Sequence, residues 1–215
     1  MTIIPTKTPR FIKSIFPNYT WDLFDNRQKK IYLTFDDGPI PNITEFVLDQ
    51  LAIYNAKATF FCIGDNIKKH PNIFKKILAE GHTIGNHTYH HLKAWKNSQD
   101  AYLEDVIKCQ QTITYYAKNK RTPKLFRPPY GQISRTKLKA LKKLGYSVIL
   151  WDVLSKDWMQ SISTEECIQN VIHHVEQGSI IVFHDSIKAS KHLRIALPAV
   201  LKHFDKEGYV FDAIV

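Results

Sequence analysis

Short apolar runs rich in β-branched and aromatic residues alternate with longer amphipathic stretches along most of this chain. Ile31-Tyr32-Leu33-Thr34-Phe35 reads as a buried strand that ends on Asp36-Asp37 and is stopped by Gly38-Pro39. Asn42 or Thr44 then offers a cap for a helix running to about residue 54, with Val47, Leu48, Leu51 and Ala52 on its inner side. Residues 57–63 form the next apolar run. Pro71 suits a first helical turn and Gly81 a helix end, and residues 82–85 make a brief strand. A longer helix follows over 100–117, with Leu103, Val106, Ile107 and Ile113 predicted on its core face.

The same alternation continues to the C-terminus. Residues 124–126 are a strand, Ser134 caps a helix that closes at Gly145, and 146–151 are a strand. Ser163-Thr164-Glu165-Glu166 is a capping box for a helix closed near Gly178, and 179–183 are again strand-like. A last helix over 191–204 carries Pro198, which predicts a kink, and 209–211 are the final strand. Strict β/α alternation over about seven strands predicts a parallel sheet. Neither GxGxxG nor GxxxxGK(S/T) is present, which argues against a doubly wound nucleotide fold. The expected fold class is α/β, a small (β/α) barrel that is distorted or incomplete.

Length changes the picture only by limiting it: 215 residues suit one domain and are too few for two of ordinary size. The formal charge of +10 raises nucleic acid or an anionic surface as partners. The lysines are scattered, as in Lys68-Lys69, Lys75-Lys76 and Lys142-Lys143, so a solvated surface is the expectation and nucleic-acid binding is not. No stretch is long and apolar enough to span a membrane. Residues 10–16 are a short basic amphipathic piece that fits weak contact with a membrane surface, but better fits packing across the barrel bottom. The 3 cysteines, Cys62, Cys109 and Cys167, show no CxxC spacing and suggest neither a disulfide framework nor a structural zinc. With no secretory-signal pattern after Met1, a cytoplasmic location is expected.

Candidate chemistry collects where strands end. Asp36-Asp37, His87 to His91, Arg127 to Gly131, Asp152 to Trp158 and His184-Asp185 each follow a predicted strand. A barrel would gather them on the face formed by the carboxyl ends of its strands. His87 and His91 are four residues apart, the spacing of one face of a helical turn. With one carboxylate they make a two-His, one-carboxylate set suited to zinc, cobalt, nickel or iron(II), leaving positions open for water and substrate. His90 between them points elsewhere, and His82, His173, His174 and His203 read as structural.

Ordered motifs then make the sequence resemble the polysaccharide deacetylases, carbohydrate esterase family 4, whose members include chitin, chitooligosaccharide and peptidoglycan deacetylases. Thr34-Phe35-Asp36-Asp37-Gly38-Pro39 is similar to the family's first motif and His87-Thr88-Tyr89-His90-His91 to its H(S/T)xxH motif. Arg127-Pro128-Pro129-Tyr130, Asp157-Trp158 and Val182-Phe183-His184 resemble the third, fourth and fifth. The resemblance covers residues 31–215, the expected catalytic domain, and leaves 1–30 as an N-terminal extension. It implies a divalent ion, zinc first with cobalt, nickel or iron as alternatives, on Asp37, His87 and His91. It further implies Asp36 as general base held by Arg127, and His184 as general acid oriented by Asp157. Tyr130 would offer its backbone N–H to the oxyanion, with Pro129 beside it, and Trp158 and Val182 would hold the acetyl methyl.

The activity implied is removal of acetyl groups from N-acetylated sugars, with an N-acetylated glycan as partner. An O-acetyl esterase or small-amide hydrolase on the same scaffold is the alternative. A non-catalytic glycan-binding barrel fits less well, because every metal and proton-transfer position is intact. One departure stands out: Leu154 occupies the place of the first Asp in the family's DxxDW pattern, and the expectation is that it simply packs.

Overall fold

The computed structural model describes residues 4–118, 120 and 122–215. Its centre is β1 (Lys30–Asp36), flanked in parallel by β2 (Ala58–Cys62) and β7 (Ile180–His184). Outward on one side come β3 (Thr83–Asn86), β4 (Leu125–Phe126) and β5 (Ser147–Val148), and on the other β6 (Val153–Leu154). Every pairing is parallel, and β8 (Val210–Phe211) joins only the start of β1, at Lys30 and Ile31. The seven-strand order β5-β4-β3-β2-β1-β7-β6 is an incomplete barrel, open between β5 and β6.

Alternation along β1 separates two interiors. Ile31, Leu33 and Phe35 face the helical layer and are fully buried there with Phe60, Ile181 and Phe183. Phe35 stacks on Phe60 at 5.1 Å and on Phe183 at 6.2 Å between ring centroids. Each such ring contributes about 1.5–3 kcal/mol by leaving water. Tyr32, on the opposite side, joins Phe61, Leu125, Ile149, Ile180 and Ile214 inside the barrel.

The helices are α1 (Arg10–Ile15), α2 (Thr44–Ile53), α3 (Gly64–Lys69), α4 (Pro71–Ala79), α5 (Gln99–Ala117), α6 (Arg135–Lys143), α7 (Thr164–Ile172) and α8 (Ser190–Lys206). Ser134 and Ser163 cap α6 and α7 as expected, the latter with the full reciprocal box to Glu166. Several expectations are corrected. Neither Asn42 nor Thr44 caps α2: Thr44 is already its first residue, and its hydroxyl accepts the Ile40 N–H at 2.7 Å while donating to Asp185 Oδ2 at 2.6 Å. Ile107 is 41% exposed, and Tyr102, Asp105 and Cys109 share the buried face of α5 with Val106 and Ile113. Helix α3 was not foreseen, since Gly64-Asp65-Asn66 carries no helical apolar period. Helix α8 continues through Pro198 to Lys206.

The strand expected over 146–151 shortens to β5 at 147–148, and β6, which the sequence reading did not give, follows beyond Asp152. Asp152 therefore lies at the amino end of β6 and belongs to the barrel bottom. Its carboxylate accepts Ser179 Oγ–H at 2.5 Å and Lys13 Nζ–H at 2.6 Å, and its carbonyl accepts the Thr8 N–H. The N-terminal segment fills the open side of the barrel. Lys7 bridges to Val153 and Thr20 to Ile149, while the Leu154 N–H donates to Thr6 O at 2.8 Å. Helix α1 itself buries no residue, and its tie to the barrel bottom is Lys13 Nζ, 2.6 Å from Asp152 Oδ1.

Candidate active site

Strand register assembles the chemistry. Asp36 ends β1 directly opposite His184 at the end of β7. Asn86 pairs with Phe126, so the residues that follow each, His87 and Arg127, emerge side by side. All of them reach a cavity of about 650 Å³ at the carboxyl ends of the strands or brace groups that line it.

Asp36 is 4% exposed and Arg127 is fully buried. The guanidinium donates to Asp36 Oδ1 and to Thr34 Oγ1, both at 2.7 Å, and to the Leu150 carbonyl at 2.9 Å. It also stacks 4.1 Å above the Phe61 ring. Burial opposes the charge on Asp36, but the Arg127 guanidinium outweighs it, with help from His87 and His184, and holds the carboxyl below its usual range.

The His184 ring is braced from behind. Asp157, fully buried, accepts the His184 backbone N–H at 2.7 Å and lies 2.8 Å from Nδ1. Burial disfavours the imidazolium, yet the charge and hydrogen bond of Asp157, followed by Asp37 and Asp36, push its pKa up to about 9. Trp158 meets the same ring edge-on at 4.8 Å. Val182 and Leu154, paired across β7 and β6, form the adjoining apolar wall of the cavity.

His87 and His91 converge with Asp37, but not from a helical turn. Residues 87–91 are a bent loop with left-handed φ at Thr88 (63°) and His91 (56°), which turns both rings to the same side 5.0 Å apart. Two carboxylates that the sequence reading left without a role shape this neighbourhood. Asp105 accepts the N–H groups of Tyr89 and His90 at 2.7 and 3.0 Å and engages His90 Nδ1 at 2.5 Å. Asp185 accepts the Gly38 N–H at 3.0 Å and the Thr44 hydroxyl, pinning the loop that carries Asp37. Asn66 Nδ2–H reaches the Asp37 carbonyl from the other side at 2.7 Å. An acidic residue interrupting the core face of α5 was the available signal for Asp105.

The donor set fits a divalent cation. One ligand atom from each of Asp37, His87 and His91 lies within 4.8 Å of the others. Asp37 Oδ1 is buried without a hydrogen-bond partner, 3.8 Å from His87 Nε2 and 3.3 Å from His91 Nε2. His87 Nδ1–H donates to the Arg127 carbonyl at 2.8 Å, which leaves the Nε2 lone pair facing a carboxylate oxygen. Lone pair against lone pair is repulsive unless a cation lies between them. Burial, then His87, lowers His91 to about 4, so its imidazole is neutral, the form that ligates.

Tyr130 sits in a left-handed turn (φ 61°), its ring 4.7 Å from that of His91 and 54% exposed at the cavity mouth. Gly131 follows at φ 66°, and a Cβ there would lie 2.5 Å from the Trp151 ring, so the turn needs glycine for both conformation and space. Pro128, rather than the expected Pro129, lines the cavity, and Pro129 is buried behind it.

An incomplete parallel barrel with an Asp-His-His cluster, a carboxylate held by arginine and a histidine held by aspartate defines a metal-hydrolase type of centre. The sequence model of the polysaccharide deacetylase family matches residues 25–149, and the chain belongs to that family. It is 37% identical over 197 residues to a peptidoglycan-N-acetylglucosamine deacetylase of Bacillus cereus, covering 91% of this chain and 90% of the relative. It is also 37% identical over 161 residues to a chitooligosaccharide deacetylase of Azorhizobium caulinodans, 74% of each chain. A crystal structure of a peptidoglycan N-acetylglucosamine deacetylase bound to a naphthyl N-hydroxybenzamide superposes with a TM-score of 0.86, at 32% identity over 96% of this chain and 95% of the other. Against two longer deacetylase relatives the chain spans 56% and 38% of their length.

Proposed function

We propose that this protein removes the acetyl group from N-acetylglucosamine-type residues of a glycan, with residues 31–215 as the catalytic domain. The observation that carries the reading is the opposed placement of two proton-transfer groups, Asp36 on Arg127 and His184 on Asp157, around one cavity beside the Asp37-His87-His91 cluster. Asp37, His87 and His91 hold a divalent ion, zinc first among the candidates, whose charge when bound acidifies water and polarises an acyl carbonyl.

The chain's own groups do the rest. Asp36 stays ionised beside Arg127 and takes the proton of the attacking water. His184, kept protonated by Asp157 across neutral pH, gives its proton to the departing sugar nitrogen, which leaves poorly as an anion. The Tyr130 N–H faces the carbonyl oxygen as negative charge develops there. Trp158 and Val182 enclose the methyl group.

The test is acetate release from N-acetylglucosamine oligomers and from peptidoglycan, after chelation and re-addition of zinc, cobalt or nickel. Metal-restored release that falls on the order of 10²–10⁴-fold in Asp36→Asn is expected. A metal-loaded protein that releases acetate from neither substrate overturns the reading, and acetylxylan alongside separates an esterase from a deacetylase.

A further inference from the structure

The charge balance at the cavity mouth points beyond the reaction to the kind of glycan it admits. Both carboxylates that line the cavity are committed: Asp36 to Arg127, and Asp37 to the histidine cluster. Asp157 is spent on His184 and does not reach the cavity surface. Lys188, on the loop that follows β7, lines the same cavity, and none of these carboxylates pairs with it. The backbone of Lys188 has a structural part, its carbonyl accepting a hydrogen bond from Gln160 Nε2 at 2.8 Å. Across the mouth, Lys93 Nζ lies 4.7 Å from the centre of the exposed Tyr130 ring. Between them, Leu154, Trp158 and Val182 supply an apolar wall with no opposing charge.

We propose that Lys188 is a specificity-determining residue that favours glycans carrying a carboxylate on a sugar next to the one being deacetylated, a proposal that rests on the deacetylase reading above. A substrate carboxylate arriving at this mouth meets an ammonium that none of the cavity's carboxylates neutralises, beside the apolar wall of Leu154, Trp158 and Val182. Neutral glycans gain nothing from Lys188.

The experiment compares two tetrasaccharides of alternating N-acetylglucosamine and N-acetylmuramic acid, one with free carboxylates and one with each carboxylate converted to its N-methylamide. Chitopentaose serves as a separate substrate for turnover itself. For the wild-type holoenzyme, kcat/KM for the acid is expected to exceed that for the amide about two- to fivefold, the range of one partly exposed ion pair, mostly through KM. The ratio narrows as salt is raised. Lys188→Gln brings the ratio to about one, Lys188→Glu inverts it, and Lys188→Arg retains it, a pattern that a merely structural role for residue 188 does not produce. A wild-type ratio of one, or a ratio that survives in Lys188→Gln, overturns the proposal while chitopentaose turnover leaves the deacetylase reading standing. If no glycan is turned over, the deacetylase reading fails, and calorimetric binding constants for the same two tetrasaccharides still decide whether Lys188 senses the carboxylate.

Discussion

His184 owes its protonation to one neighbour, and that makes its titration the sharpest property of the site. Its pKa of about 9 stands above the ordinary histidine value because Asp157 overcomes burial. In the proposed role of general acid it must carry its proton, so activity is expected to fall on the alkaline side as pH rises toward 9, with an ion on Asp37 drawing the limb lower by offsetting part of the push. Asp157→Asn removes the largest raising charge and leaves burial opposed by Asp37 and Asp36 alone, which lowers the pKa and carries the alkaline limb of kcat/KM down with it. An Asp157→Asn enzyme with an unmoved alkaline limb would show that His184 is not the titrating acid. Stability follows the same sign. A group whose folded pKa is raised contributes in full below its unfolded value near 6.5 and loses that contribution as pH climbs through about 9. Melting temperature measured on chelated protein should therefore fall between pH 6 and 10 more in wild type than in His184→Gln. The resemblance to the family's motifs named both members of this pair, but the order of the causes needed the fold, since 27 residues separate them and the approach of the loop after β6 to the end of β7 joins them.

At the scale of elements, the loop of residues 87–91 shows what a motif conveys and what it hides. The four-residue spacing of His87 and His91 found the right pair for a helical reason, whereas two left-handed residues and the Asp105 carboxylate do the work. Left-handed φ at a threonine and a histidine leaves no trace in apolar periodicity, so the loop reads as a turn of helix until its backbone is seen. Asp105 is legible only as an oddity, an acid on the buried side of α5. Because it holds two backbone N–H groups and the His90 ring, Asp105→Asn is expected to weaken metal binding about 10–100-fold, the usual effect of losing a group that orients ligands. Competition with a chelator of known affinity measures this, and an unchanged affinity would mean that the loop holds its shape without Asp105. The capping box of α7 was fully readable because its chemistry is local, and Ser163→Ala should cost about 1 kcal/mol in thermal unfolding.

The whole molecule closes its barrel with chain that lies outside the motifs. Strand pairing stops at β5 and β6, and the N-terminal segment spans the gap through Lys7, Thr8 and Thr20. It also brings Ile4 to the wall of the catalytic cavity. Pattern reading expected residues 10–16 at the barrel bottom and gave no sign of the seal, since Lys7 and Thr20 form single isolated bridges rather than strands. The tie that holds it is Lys13. Its ammonium donates at 2.6 Å both to Asp22 within the segment and to Asp152, whose side chain is 4% exposed beneath the barrel. Lys13→Met removes the cation and leaves Asp152 on Ser179 and on Lys7 at 3.7 Å. A charged hydrogen bond of this kind contributes roughly 1.5–3 kcal/mol, so the variant is expected to melt about 3–12 °C lower in a chain of this size. Much of that loss is the stranded charge of Asp152 rather than the missing pair itself, because a buried carboxylate without its partner costs more than a neutral group in its place. The double variant Lys13→Met with Asp152→Asn should therefore recover part of the fall, while Asp152→Asn alone removes the charge and one of the two acceptor oxygens that Lys13 and Ser179 use. Equal melting of Lys13→Met and wild type would place the seal's stability in the backbone bridges instead. The recovery in the double variant is the result that distinguishes an electrostatic tie from simple packing of the lysine stem.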